Sequence, residues 1–180
     1  MKKKKKSEGY MTLSPPLSMQ GKMKSLFLVV LLIIAALAGA FTYQGLQYDF
    51  ETLDGETYRW QDLNGQWVVV NYFAPWCAPC LREMPELAAF NKSLPDNTRL
   101  FAINYDPKTK PELKAMTEKF AIAVPVIVSS PDTKLPMTKP PYLPATFIVG
   151  PDGKIKDTIM GEVTAVHLRQ RLTELKGADL

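Results

Sequence analysis

The hydrophobic pattern divides the chain into one unbroken apolar block and a long region of short, mixed periodicities. From Leu26 to Phe41 sixteen residues carry no charge. A block apolar on every side has no polar face to turn to water and fits a membrane better than a domain surface. As a helix it would span about 24 Å, and Thr42 and Tyr43 extend it to a marginal crossing of the roughly 30 Å hydrocarbon core. Beyond it the pattern changes. Leu46 to Phe50 alternates weakly, Asp54-Gly55 is a hairpin-turn signal, and Thr57 to Trp60 predicts the returning strand. Asp62 to Gln66 is a loop. Trp67 to Phe73 is a strongly apolar run of β-formers, expected as a buried central strand.

Leu81, Met84, Leu87 and Ala88 fall at helical spacing and predict a helix over 78–91. Pro79 lies in its first turn, where proline is tolerated, whereas Pro85 is deep enough to kink it. A strand over Arg99 to Asn104, a helix over Pro111 to Phe120 and a short strand over Val124 to Val128 follow. Residues 129–143 form a loop containing Pro131, Pro136, Pro140 and Pro141. Ala145 to Val149 is a strand, Gly150 to Gly153 a turn, and Lys154 to Met160 the partner strand. Thr164 is placed to cap a last amphipathic helix carrying Leu168, Leu172 and Leu175. Strands alternating with helices, with a hairpin at each end, predict an α/β fold: a mixed central sheet flanked by helices, with an N-terminal β-hairpin.

Charge sharpens the division. The chain's net charge is +4, but residues 1–45 hold seven Lys and one Glu, so the remainder sums to −2. The domain therefore lacks the clustered cations that nucleic acid would need, and no nucleic-acid partner is expected. The expected organisation is a basic cytoplasmic tail over 1–25, a transmembrane signal anchor over 26–43 and a folded domain over 46–180. Residues 7–22 are polar or turn-forming and are expected to lack fixed structure. The run Lys2 to Lys6 keeps the N-terminus cytoplasmic and puts the domain on the exported side of the cell membrane. The alternative is a cleaved signal peptide with Ala38-Gly39-Ala40 as its cleavage site, starting at Met23. Either reading exports the domain.

The candidate chemistry lies in Trp76-Cys77-Ala78-Pro79-Cys80, which holds the only two cysteines of the chain. Cys77 is expected at the C-terminal end of the central strand, where open α/β sheets carry their sites, and at the N-terminus of the following helix. Helix N-termini favour anions, so the thiolate of Cys77 is favoured. Cys80, one turn on, is placed to attack a mixed disulfide formed on Cys77. Half a zinc site, an inert structural disulfide and a Cu(I) site are alternatives. Zinc wants four ligands and the chain offers one His, His167, placed on the surface of the last helix. So short a disulfide loop removes little chain entropy. Cu(I) sites usually add a nearby His or Met. Met84, Met116, Met137 and Met160 are scattered and belong to core or loops.

With these residues the chain resembles the thioredoxin superfamily, and within it the TlpA/ResA-like branch of membrane-anchored thiol–disulfide oxidoreductases. The resemblance is carried by Val68 to Cys80, Glu83-Met84-Pro85 and Leu143-Pro144-Ala145-Thr146-Phe147-Ile148-Val149, and it covers roughly residues 46–175. It implies a thioredoxin-like fold, Cys77 as attacking and Cys80 as resolving cysteine, and no cofactor beyond this redox-active pair. It implies that Pro144 is the family's cis-proline, that Leu143 tunes substrate preference and that Trp76 shields the disulfide. Pro79 and Pro85 belong to its motif. Asn71 stands where cytosolic thioredoxins carry a buried Asp. Glu83 stands where the anchored branch uses a Glu, and burial would raise its pKa toward the range useful for proton exchange with Cys80. Residues 140–146 depart from the Gly-rich, acidic pattern of the branch dedicated to cytochrome c maturation. No Thr and Arg setting of a peroxidase surrounds Cys77. The function implied is reduction of disulfides in exported proteins, with a membrane thiol transporter as electron donor. A disulfide-forming oxidase and a Cu(I)-delivery protein are the alternatives.

Overall fold

The computed structural model describes the backbone of residues 17–45 and 47–178 and the side chains of residues 24–40 and 47–178. It falls into two compact units, Met1–Gln47 and Tyr48–Leu180.

The described residues of the first unit form the helix α1 (Leu17–Gly45). Residues 17–22, expected without fixed structure, are its first turns. Once an apolar block has nucleated a helix, each added residue costs little, and only Gly21 opposes the extension. Residues 1–16 of the expected tail, Lys2 to Lys6 included, lie outside the described residues. The large apolar side chains from Leu26 to Leu37 are exposed. Among the described residues no helix is long and apolar enough to cross a membrane. The expected span, 26–43, runs past residue 40, the last whose side chain is described in this helix.

The second unit runs through β1 (Phe50–Glu51), β2 (Thr57–Tyr58), a 3-10 turn (Trp60–Leu63), β3 (Trp67–Phe73), α2 (Ala78–Lys92), β4 (Thr98–Asn104), α3 (Lys110–Lys119), β5 (Val126–Ile127), β6 (Ala145–Val149), β7 (Ile155–Met160) and α4 (Ala165–Ala178). β1 and β2 form a separate antiparallel pair, and the other five strands form one sheet in the order β5-β4-β3-β6-β7. β3 pairs parallel with β4 and antiparallel with β6, which makes it the central strand of a mixed sheet. All seven of its residues are buried, which explains why Asn71 is its one polar position.

Both faces of the sheet are covered, but unequally. The crossovers β3-α2-β4 and β4-α3-β5 step in the same direction, and crossovers of one hand that step the same way leave their helices on one face. Leu87 and Phe90 of α2, Leu113 and Met116 of α3, and Leu168 and Leu172 of α4 accordingly share a core with Val69 and Phe73. Val68, Val70 and Tyr72 point the other way and meet Phe50, Leu63 and Met137. The second face is thus closed by the hairpin, the 3-10 turn and the 129–143 loop. Phe50 stacks on Tyr58 at 5.1 Å and meets Phe101 edge-on at 5.2 Å, which docks the hairpin. Trp60 Nε1 donates to the Lys134 carbonyl at 2.9 Å, which ties down the proline-rich loop.

The hairpin strands are shorter than the predicted Leu46–Phe50 and Thr57–Trp60, because the backbone beyond Tyr58 turns into the 3-10 helix. Gly55, at φ +91°, occupies the left-handed region at its turn. β5 is also shorter than predicted. Pro125 has no N–H to give a ladder, and only its carbonyl is used, by Ala102 N–H at 2.8 Å. The hairpin covers the β5 edge, with Leu53 N–H donating to Val126 O and Val128 N–H to Glu51 O. Pro85 is exposed inside α2, which runs unbroken from Ala78 to Lys92.

Candidate active site

The site is built where β3 ends and α2 begins. Phe73 and Ala74 are fully buried, so the central strand fixes the start of the turn that delivers Cys77. Cys77 is the N-cap of α2, and its Sγ accepts from Cys80 N–H at 3.3 Å. Pro79, in the first turn, removes an N–H that has no partner in a helix anyway. Cys77 and Cys80 form a disulfide. Cys80 is fully buried whereas Cys77 keeps 6% of its surface, which gives the two sulfurs unequal access. The more accessible sulfur is the one that receives the Cys80 N–H at the α2 N-terminus, where the helix dipole favours a thiolate.

Beneath the pair lies a polar cluster in an apolar setting. Glu83 is three residues beyond Cys80 on the same side of α2 and only 2% exposed. Asn71 Nδ2 donates to Glu83 Oε1 at 2.8 Å and to Thr146 Oγ1 at 3.0 Å. Val163 N–H donates to Glu83 Oε2 at 2.8 Å. Burial disfavours the charged carboxylate, the two donors favour it, and burial wins: the Glu83 pKa is pushed up to about 7. The strand register explains the meeting, because Asn71 of β3 lies opposite Thr146 of β6.

The remaining candidates stand around the rim. The Leu143–Pro144 peptide is cis, with Pro144 buried, and Leu143 packs against the core that holds both cysteines. Trp76 is 63% exposed. Its Nε1 donates to Asp106 Oδ2 at 2.6 Å, and its ring meets Tyr105 edge-on at 6.0 Å. His167 is exposed on α4, and its backbone N–H is capped by Thr164 Oγ1 at 3.2 Å. Among the described residues no three His, Cys, Asp or Glu side chains gather where a metal could sit.

A family model, AhpC/TSA, matches residues 37–158. The chain belongs to the AhpC/TSA family. The thiol–disulfide oxidoreductase ResA of Geobacillus thermodenitrificans is 32% identical over 69% of this chain and 71% of its own length. ResA of Bacillus cereus is 28% identical over 86% of this chain and 98% of its own. The exposed lipoprotein thioredoxin Etrx1 of Streptococcus pneumoniae superposes with a TM-score of 0.62 at 22% identity, over 71% of this chain and 98% of its own. The fold is thus thioredoxin-like, and the chain is a thiol–disulfide oxidoreductase whose Cys77–Cys80 pair is the redox-active group.

Within this AhpC/TSA scaffold the structure sets Cys77, Pro79 and Cys80 at one junction and joins Asn71 to Glu83 on the helix that carries Cys80. Trp76, the residue before Cys77, has Tyr105 and Asp106 as described partners. Sequence reasoning missed three participants. Thr146 carried a signal, since a polar residue in an apolar strand invites a partner across the sheet. Asp106 follows β4 directly, and nothing in its neighbours marks it. Val163 acts through its backbone, which no side-chain pattern reveals.

Proposed function

We propose that the protein reduces disulfides in exported polypeptides, held at the membrane by residues 26–43 with its domain on the exported side. In the reduced form the Cys77 thiolate attacks one sulfur of a substrate disulfide. A Cys77–substrate bond forms, and the other substrate sulfur leaves as a thiolate. Cys80 then loses its proton and attacks Cys77 Sγ, which forms the Cys77–Cys80 bond and releases the second substrate thiolate. Two electrons pass to the substrate, and the protein ends in the oxidised state seen here. A membrane dithiol donor returns it to the reduced state.

The observation that carries this reading is the buried Glu83 carboxylate beside the resolving cysteine, with its pKa at about 7. A group poised near neutrality takes up and returns a proton at the pH where Cys80 must become a thiolate. The unequal exposure of Cys77 and Cys80 supports the split into attacking and resolving thiols. The names of the relatives, thiol–disulfide oxidoreductase and exposed lipoprotein thioredoxin, support both the chemistry and the exported setting.

The test is the equilibrium potential of the Cys77–Cys80 couple together with insulin reduction by the dithiol form. A potential near that of thioredoxin, about −270 mV, with turnover of insulin supports a reductase. A potential near about −120 mV with no turnover assigns the site to disulfide formation instead.

A further inference from the structure

A cleft of about 440 Å³ opens beyond the dithiol, at the C-terminal ends of β3 and β4, with Tyr72, Asn104, Tyr105, Lys134 and Lys139 among its walls. Open α/β sheets bind ligands at this end of their strands. Tyr105 is shared between the cleft and the active-site rim, because Trp76, the residue before Cys77, meets its ring at 6.0 Å. The Tyr105 N–H also donates to Phe73 O at 2.7 Å, which fixes this wall to the strand that delivers the cysteines.

The cations of the cleft call for an anion. Lys139 holds its ammonium 3.6 Å from the Tyr105 ring centroid, and among the described residues no ion pair engages it. Lying on the ring, the cation is positioned in advance while its remaining N–H groups stay available. Lys134 adds a second cation, held loosely by Asp49 at 3.9 Å. The nearby Asp106 carboxylate is taken by the Trp76 indole.

We propose that this cleft is a substrate subsite that accepts an acidic residue flanking the target disulfide in a polypeptide. The carboxylate of that residue meets Lys139, with Lys134 behind it. A polypeptide fits better than a free anion because Tyr105 joins the cleft to Trp76, the residue before Cys77, so that one chain can span both. This inference rests on the protein acting on polypeptide disulfides.

The experiment compares two disulfide-bridged peptides of equal length, one with acidic and one with basic flanks, reduced by the full-length dithiol protein. The readout is the ratio of their kcat/KM values, in which any change in the dithiol chemistry cancels. The wild type is expected to favour the acidic peptide about fivefold, mainly through KM. At about 1 M salt, where the screening length is about 3 Å, the preference should vanish. Lys139→Glu, at an exposed position that leaves the fold alone, should reverse the ratio, and Lys139→Gln should bring it near one. Equal kcat/KM for the two peptides, or a ratio untouched by Lys139→Glu, overturns the subsite. Uncharged hydroxyethyl disulfide separates this failure from that of the reductase reading. If it is reduced while the peptides are not distinguished, the subsite alone falls. If neither it nor the peptides are reduced, both fall.

Discussion

Asn71 and Glu83 meet at 2.8 Å in the buried floor of the site, the amide from the central strand and the carboxylate from the helix that carries Cys80. No cation takes part. The carboxylate is held by two neutral N–H donors, from Asn71 and Val163, and burial outweighs both. The amide oxygen of Asn71 has no partner, so this side chain is committed through its nitrogen alone. An Asp here would set a second carboxylate against the first, and like charges so close cannot both ionise. Asn71 therefore lets Glu83 titrate as a single group.

Replacing Asn71 with Leu, of similar size, removes one of the donors that pull the Glu83 pKa down. The pKa should rise above its present value of about 7. A carboxyl-carbon NMR titration of the oxidised domain reads it directly, and the pH profile of disulfide exchange should move the same way. An unchanged titration would mean that the amide does not set the proton affinity. Thr146 would lose its partner as well, so a stability loss of about 1–3 kcal/mol is expected.

Glu83→Gln tests the same carboxyl through stability. The folded pKa of about 7 lies above the ordinary 4.5, so between those values the folded state binds more protons than the unfolded state. Stability is therefore fully present below pH 4.5, falls as pH rises toward 7 and is level beyond it. The fall should be about 3 kcal/mol in the wild type. Glu83→Gln should flatten it, as seen in denaturant unfolding of the oxidised protein at both ends of the window. Exposed carboxylates with lowered pKa, such as Glu112 and Glu174, act at more acid pH and leave this window clear. In the reduced protein the same variant should remove a pH step near neutrality from the exchange rate.

The cysteine roles are separable by single substitutions. Cys80→Ser keeps the accessible thiol and removes the resolving one, so mixed disulfides should accumulate on Cys77 and survive non-reducing electrophoresis. Cys77→Ser should abolish exchange and trap nothing. If Cys80→Ser traps nothing and Cys77→Ser does, the assignment is reversed. Trapping in intact membranes would also reveal the natural substrates and the electron donor.

The strands and the dithiol were legible because each rests on a local signal. Trp67 to Phe73 is apolar except at Asn71 because the strand is buried on both faces, and Ala145 to Val149 is bounded by Pro144 and Gly150. The short strands were not legible to the residue. Val124 to Val128 looks continuous, but Pro125 interrupts its donors, and only long-range pairing with β4 decides what remains. The cleft walls come from β3, β4 and the 129–143 loop, so no window of sequence contains them. The unpaired oxygen of Asn104 is likewise invisible until the fold removes water from it.

The division of the chain into Met1–Gln47 and Tyr48–Leu180 carries the last prediction. The second unit holds every candidate residue of the site and its own core on both faces of the sheet. Residues 48–180 made alone should fold, remain in the soluble fraction and reduce insulin at the rate of the full chain. The full chain should sediment with membranes and resist extraction by high salt, because its exposed apolar residues from Leu26 to Leu37 need a nonpolar environment rather than ionic attachment. Placing Lys at Leu31 and Ile33 should release it, since a charge at the centre of a span costs about 2.5–3.5 kcal/mol on the insertion scale. A full chain that stays soluble, or one released by salt alone, would remove the anchor. A full chain found soluble only after loss of its first forty or so residues would show a cleaved signal in its place.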